Sequence, residues 1–409
     1  MSGAIVIVGA GESGARAAIA LREADFAGAV TLLGAERHAP YERPPLSKAS
    51  ILADHEPPPP TISDARDLPA KGVDLRLGTN VVGIDRAAKR VNLGDGESLA
   101  YDILVLATGA RARKLTLPGG QFARTLRSQE DAIALREKFR LGGTLAVIGG
   151  GLIGLELAAS ARQLGCAVHV IEAAPRILTR GVPEVLARRI AARHRQAGVE
   201  IVTGVAPVEI READGRYAVA LKDGRTIVAD HLAAGIGAEP DLDLARAAGL
   251  EIDNGVRVDA RLRTSDPDIF AIGDCADFPH VLFGDIRMRL ESWRNAFDQG
   301  AHVARVLMGS DAPYRAVPWF WSDQYDLTLQ IAGAPMLGPR TLERPLGEGA
   351  SLTFHLADDG RVVGASALGA IAQIGKDMRL AEMLIASQAH PDLAALADPA
   401  TKLKALLPR

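Results

Sequence analysis

The sequence predicts an α/β protein in which one unit, made of strand, glycine-rich turn, helix and strand, occurs twice and is followed by a smaller α+β unit. Three observations carry this. Gly9-Ala10-Gly11-Glu12-Ser13-Gly14 and Gly149-Gly150-Gly151-Leu152-Ile153-Gly154 repeat one glycine pattern 140 residues apart. Each follows a continuous apolar run, as expected of a strand buried on both faces of a parallel sheet. Beyond Trp321 the pattern changes to short alternating segments. A solenoid would repeat every ~20–50 residues, so this is a duplicated architecture, and alternating strands and helices set the class.

In chain order, Ala4–Val8 reads as a strand, Ala15–Ala24 as a helix and Ala29–Leu33 as the next strand. Pro44-Pro45 and the run from Pro57 to Pro60 mark irregular connections, since proline continues neither a helix nor a central strand. The second copy reads Leu145–Ile148 strand, Leu155–Leu164 helix and Ala167–Ile171 strand. After it come short strands at Leu327–Ile331, Ser351–His355 and Arg361–Val363, then a helix at Met378–Gln388.

Composition narrows the function. Lys and Arg total 47 against 50 for Asp and Glu over 409 residues, a net charge of -3. That balance argues against nucleic acid and against a polybasic membrane-surface protein. The longest apolar stretch, Leu145–Leu155, holds three consecutive glycines and is too short to span a bilayer. With no basic segment or cleavage signal before the first strand, the expected location is the cytoplasm. The two cysteines, Cys166 and Cys275, lie 109 positions apart, which excludes a C-x-x-C redox pair, and no metal site is expected.

The glycine turns carry chemistry. In a G-x-G-x-x-G between strand and helix, the first glycine makes the turn and the second lets backbone approach a pyrophosphate. The third lets helix pack on strand. The helix N-terminus then presents free N–H groups and a positive dipole. An acid about 20 residues on holds a ribose hydroxyl. Glu172 lies 18 residues after Gly154 and Glu36 lies 22 after Gly14. One such glycine cluster alone could be a tight turn, but two in context, each with its acid, predict two Rossmann-like sites. Two dinucleotides in one chain point to a flavoprotein reduced by a nicotinamide. Glu172 favours NADH, because a carboxylate repels a 2′-phosphate; Arg176 and Arg180 nearby pull the other way.

The motifs Tyr41-Glu42-Arg43-Pro44-Pro45-Leu46-Ser47-Lys48, Leu106-Ala107-Thr108-Gly109, Ile272-Gly273-Asp274 and Pro318-Trp319-Phe320-Trp321-Ser322-Asp323-Gln324 add a resemblance. In these the chain resembles the FAD-dependent NADH:ferredoxin reductases of the putidaredoxin reductase and biphenyl dioxygenase ferredoxin reductase type. These serve P450 systems and aromatic-ring dioxygenases. The resemblance spans essentially the whole chain, and its most specific part is the P-W-x-W-S-D-Q block.

The resemblance implies a glutathione-reductase-like architecture: an FAD-binding domain of residues 1–107 and 240–317, an NADH-binding domain of 108–239 and a C-terminal domain of 318–409. It implies that Gly9, Gly11, Ser13 and Gly14 hold the FAD pyrophosphate, with Ala35 and Glu36 at the ribose. Arg43, Lys48, Val81, Thr108, Gly109, Arg127, Asp274 and Trp293 complete the FAD site. Gly149, Gly151, Ile153, Gly154, Glu156, Glu172, Arg180 and Gly237 would contact NADH. Lys48 and Trp321 are the expected catalytic pair. Taken alone, Lys48 reads as a surface lysine, Glu156 as an ordinary helix residue, and one of Trp319 and Trp321 as a core aromatic.

The implied reaction is that of ferredoxin-NAD(+) reductases (class EC 1.18.1): hydride from NADH to FAD, then single electrons to a [2Fe-2S] ferredoxin. The cofactors carry this chemistry, and a cation such as Lys48 would stabilise reduced flavin. Arg287, Arg289, Arg294 and Arg305, with Trp319 and Trp321, are expected to steer the ferredoxin. The expected state is a monomer or weak homodimer. Two alternatives stay open: an NADH oxidase or peroxidase, disfavoured because neither cysteine lies near the first helix, and an FAD- and NADH-binding redox sensor like apoptosis-inducing factor, disfavoured by the charge balance.

Overall fold

The computed structural model describes residues 3–62, 67–347 and 349–408, so Met1 and Ser2 fall outside it. The chain forms two compact units. The first comprises Met1–Glu42, Pro59–Arg111 and Glu239–Pro318; the second comprises Arg43–Pro58, Ala112–Ala238 and Trp319–Arg409. The segment Arg43–Pro58, which bears the basic part of the Tyr41–Lys48 motif, is thus counted with the second unit.

The first unit is built on a five-stranded parallel sheet. Its order is Ile269–Ala271, Ile103–Leu106, Ile5–Val8, Val30–Leu33 and Val73–Arg76. All four residues of Ile5–Val8 are buried, so the apolar run of the sequence is the central strand. The helix Glu12–Glu23 begins three residues earlier than the sequence suggests. Gly11 is its N-cap and makes no side-chain cap bond, so the first turn opens directly at the glycine motif. Against this helix lies Trp293–Leu307, and the approach is close: a Cβ at Gly300 would stand 2.5 Å from the Ser13 carbonyl oxygen. An antiparallel meander, Val81–Asp85, Arg90–Leu93 and Ser98–Ala100, completes this part of the unit.

The second unit repeats the plan. Its parallel sheet runs Val199–Thr203, Ala167–Glu172, Thr144–Ile148, His231–Ala234 and Arg124–Thr125. A second meander spans Pro207–Ala213, Arg216–Leu221 and Thr226–Ala229. The same unit carries a five-stranded antiparallel sheet in the order Trp319–Gln324, Leu327–Gly333, Val362–Gly369, Ser351–Leu356 and Arg340–Pro345, with the helix Ile371–Ala386 packed on it. The helix Glu184–Gln196 fastens this sheet to the parallel one: Arg193 pairs with Asp326 at 2.6 Å and Arg189 reaches the hydroxyl of Ser351.

Two elements near the C-terminal end also differ from the sequence expectation. The strand at Val362 runs on to Gly369 with every residue buried. Its small residues follow from crowding, since a Cβ at Gly364 would meet Pro335 backbone at 2.8 Å. The helix expected at Met378 starts at Ile371 and carries Gly375 inside it. A glycine costs a helix interior only about 1 kcal/mol, which sheet packing outweighs.

Candidate functional site

In the first unit the residues around the glycine turn converge. Gly9 has φ +113°, and a Cβ there would lie 2.1 Å from the Ala107 carbonyl oxygen, so only glycine lets the turn pass this close to Thr108. A Cβ on Gly14 would stand 1.9 Å from the Gly9 carbonyl oxygen. Gly11, by contrast, faces open space with nothing within 4 Å. Uncrowded backbone at a helix N-terminus without a side-chain cap is the cradle a pyrophosphate takes, so this turn fits a dinucleotide.

The other predicted residues of the unit frame that turn. Gly273, before Asp274, has φ +76°, and a Cβ on it would come 2.6 Å from Ser13 Oγ. Buried Gln299, which sequence reasoning missed, accepts the Gly273 N–H at 2.7 Å and so fixes the Asp274 turn. Thr108 Oγ1 donates to the Asp241 carbonyl at 2.8 Å. Glu36 accepts from the Tyr41 hydroxyl at 2.5 Å, while Ala35 is exposed. Val81 packs on the unit's core, and the Trp293 ring stacks on Phe297 at 5.4 Å. Glu12, inside the glycine motif, is a further missed group. Burial, reinforced by the Glu42 carboxylate and opposed by Arg16, pushes its carboxyl up to about 7.

The second turn is built alike. Gly149 has φ +106°, and a Cβ on Gly154 would lie 2.2 Å from the Gly149 carbonyl oxygen. Gly151 is the helix N-cap without a side-chain cap bond, and Ile153 beyond it is 47% exposed. Glu172 ends its strand and accepts two backbone N–H groups, Gly150 at 2.7 Å and Ala174 at 2.8 Å, which ties the acid to the turn. Arg176 donates to the carbonyls of Ile177, Leu178 and Val182, so its guanidinium is spent on the backbone and not aimed at a ribose phosphate. Arg180 is exposed, with Nη2 3.5 Å from where a Gly237 Cβ would stand.

A polar cluster in the second unit unites the motif lysine with the tryptophan block. Glu156 and Ser160 lie one turn apart on the helix Leu152–Gln163. Glu156 is 7% exposed and accepts from Ser47 Oγ and, at 2.6 Å, from Ser322 Oγ. Lys48 Nζ stands 3.4 Å from Glu156 Oε1 and 3.3 Å from Asp323 Oδ2. Ser160 Oγ donates to the Ser47 carbonyl at 2.7 Å and holds that loop in place. On the strand Trp319–Gln324, residues 319 to 321 are all partly exposed, and from Trp321 on two-residue periodicity buries Ser322 and Gln324 and leaves Asp323 partly exposed. The two indoles stack at 5.2 Å, and Lys48 Nζ lies 5.8 Å from the Trp321 ring. Arg43 Nη1 donates to the Arg127 carbonyl at 2.5 Å; the Arg127 N–H donates to Asp131, whose side chain forms a capping box with Ser128.

The four arginines of the expected steering cluster are differently placed. Arg287 pairs with buried Asp277 at 3.0 Å and Arg294 with Asp298 at 2.9 Å. Arg289 pairs with Glu291 at 2.6 Å and its side chain is 8% exposed. Arg305, on the same helix as Arg294, is exposed.

Among the described residues no helix is long and apolar enough to cross a membrane and no group of metal-ligating side chains occurs. Residues 3–300 match the pyridine nucleotide-disulphide oxidoreductase family, and residues 319–407 match the reductase C-terminal family. The chain is 44% identical over 405 residues to the anthranilate 1,2-dioxygenase system ferredoxin-NAD(+) reductase component of Burkholderia cepacia, covering 98% of each. Among solved structures it is similar to the ferredoxin reductase for the CYP199A2 system from Rhodopseudomonas palustris, with TM-score 0.93, 36% identity and 98% and 99% of the two chains covered. It is also similar to the covalent putidaredoxin reductase-putidaredoxin complex, with TM-score 0.92, 34% identity and 99% and 98% covered. Glycine turns of this geometry, a C-terminal unit of the matching kind and full-length similarity together make the chain a member of the ferredoxin-NAD(+) reductases within the pyridine nucleotide-disulphide oxidoreductase family, flavoproteins that work with FAD and NADH.

Proposed function

We propose that this protein moves electrons from NADH through FAD to a [2Fe-2S] ferredoxin that supplies a P450 or an aromatic-ring dioxygenase. The observation that carries this reading is the pair of glycine turns opening helices without a side-chain cap bond, each followed by its acid, joined to full-length similarity with ferredoxin reductases. The chemistry supplied by FAD, when bound, would be hydride acceptance from NADH and release of single electrons. The chain's residues bind and orient. Gly9, Gly11, Ser13 and Gly14 take the FAD pyrophosphate on a helix N-terminus, with Glu36 at its ribose and Asp274 and Trp293 in the same unit. Gly149, Gly151 and Gly154 do the same for NADH, with Arg180 and Gly237 beside them. Lys48, steadied by Glu156 and Asp323, is assigned the positive charge offered to the flavin, with the Trp321 ring 5.8 Å from its Nζ. Electrons do not leave through a disulfide, because both cysteines are buried and free, and burial pushes the Cys275 thiol up. Two unpaired thiols also suit the reducing cytoplasm.

For the ferredoxin, the candidate surface elements are Trp319 and Trp321 in the second unit and Arg287, Arg294 and Arg305 in the first. Arg289 is too buried to steer a partner.

Anaerobic titration tests the reading. One equivalent of NADH is expected to bleach the flavin fully, and catalytic amounts of the protein are expected to reduce a [2Fe-2S] ferredoxin. A colourless protein, or a flavin that NADH leaves oxidised, would overturn it. The nucleotide preference depends on Glu172. Glu172→Ala removes a charged acceptor from two N–H groups and from the ribose, and such bonds are worth about 1.5–3 kcal/mol. KM for NADH is expected to rise at least about tenfold and the NADH-over-NADPH preference to shrink by a similar factor. An unchanged ratio of kcat/KM for the two nucleotides would remove Glu172 from that role.

A further inference from the structure

We propose that Gln324 and His194 are positioning residues for the Lys48–Glu156 pair: a one-way hydrogen-bond chain from His194 through Gln324 and Ser322 holds Glu156 as an acceptor facing Lys48. Assigning Lys48 to the flavin rests on the function proposed above; the direction of the chain does not.

That direction follows from donor and acceptor capacity alone. A carboxylate only accepts, so the proton of Ser322 Oγ is committed to Glu156 Oε1 at 2.6 Å. Ser322 Oγ then has only lone pairs to offer Gln324, which donates to it from Nε2 at 2.9 Å. The amide therefore turns its oxygen to His194 Nε2, also at 2.9 Å. An amide oxygen cannot donate, so the imidazole carries its proton on Nε2. Every link is buried: Ser322, Gln324 and His194 are each 0% exposed, so water offers no competing partner.

The environment keeps His194 in that tautomer. Its Nδ1 is buried with no hydrogen-bond partner among the described residues, so a second proton there would have no acceptor. The groups facing it are the Tyr325 ring, edge-on at 5.0 Å, and Gln324 from the antiparallel sheet. On its own helix Arg193 lies over Tyr325 and is paired with Asp326. Arg162 adds positive charge on the Tyr325 side. Burial first, and then Arg193, lower the imidazole from 6.5 to about 4, a downward shift that the Gln324 hydrogen bond opposes. A neutral imidazole transmits orientation and not charge. With Ser322 fixed in this way and Ser47 on the other oxygen, both carboxylate oxygens of Glu156 are held, with Oε1 facing Lys48.

The first test needs no variant. Nitrogen-15 NMR of the holoenzyme labelled at histidine is expected to show His194 neutral and protonated on Nε2 at pH 7. An Nδ1–H tautomer or an imidazolium would overturn the proposal. The second test uses Gln324→Leu and His194→Leu, which break the chain, and His194→Gln, which keeps a donor. For the first two, flavin reduction by NADH is expected to slow about tenfold and its pH profile to move, with KM for NADH within about twofold of wild type. His194→Gln is expected to restore both. If Gln324→Leu and His194→Leu melt as the wild type does and keep its pH profile, the positioning role is wrong; if they fail to fold, the NMR result alone decides. A wild-type flavin that NADH does not bleach would sink the reductase reading instead, and the tautomer would still decide the direction of the chain.

Discussion

Gly154→Val is expected to give a yellow protein that dithionite bleaches and NADH does not, whereas Gly14→Val is expected to give protein that holds no flavin. The two positions are equivalent in the duplicated unit. A Cβ at Gly154 would stand 2.2 Å from the Gly149 carbonyl oxygen, and one at Gly14 would stand 1.9 Å from the Gly9 carbonyl oxygen. Both obstacles are backbone, so the helix must retreat from the turn, and a valine adds bulk to that displacement. Overpacking of this kind costs roughly 1–3 kcal/mol even where side chains give way. Losing the N–H cradle as well puts the expected fall in nucleotide affinity at a hundredfold or more, about 2.7 kcal/mol. Visible absorbance of the purified variants and a stopped-flow trace with NADH read both outcomes. NADH reduction of Gly154→Val at the wild-type rate would show that the second turn does not bind the nicotinamide.

The second large effect is acid instability. His194, His280, His302 and His355 are between 0% and 4% exposed, and burial lowers each from 6.5 to about 4. In the unfolded chain they take up protons near pH 6.5. Because the folded values lie below the unfolded one, the unfolded state binds more protons between pH 6.5 and 4. The stability these groups confer is complete above pH 6.5 and lost as pH falls toward 4. Each imidazole accounts for on the order of 3 kcal/mol at the lower end, at about 1.4 kcal/mol per pH unit. Glu12 works the other way. Its folded value of about 7 lies above the ordinary 4.5, so its contribution is complete below pH 4.5 and lost as pH rises through 7. Four groups against one leave a net loss on acidification. The melting temperature at pH 5 is expected to lie at least about 10 °C below that at pH 7. A flat profile over that range would mean that these imidazoles are solvated or paired.

The sequence alone determined the parts of this protein that are local. Each glycine turn with its preceding strand and following helix is a contiguous run, and the backbone contacts that demand Gly14 and Gly154 come from Gly9 and Gly149 within the same turns, so both motifs were legible as written; the crowding of Gly9 by Ala107 and of Gly149 by Gly235 comes from distant sequence and was not. Glu172 was legible for the same reason, since it ends the strand beside the turn it serves. The alternation of buried Ser322 and Gln324 with partly exposed Trp321 and Asp323 was present as a period of two. What the sequence could not supply was pairing across long separations. Ser47 and Glu156 are 109 residues apart, Glu156 and Ser322 166, and His194 and Gln324 130. Nothing in a single side chain's neighbours in sequence says which distant donor will meet it. The charge pairs were hidden in the same way: Arg287, Arg289 and Arg294 cluster in sequence, and only the fold shows that each has a carboxylate beside it. Tertiary structure decided these because a buried polar group must find a partner wherever folding places one, and that requirement acts through space and not along the chain.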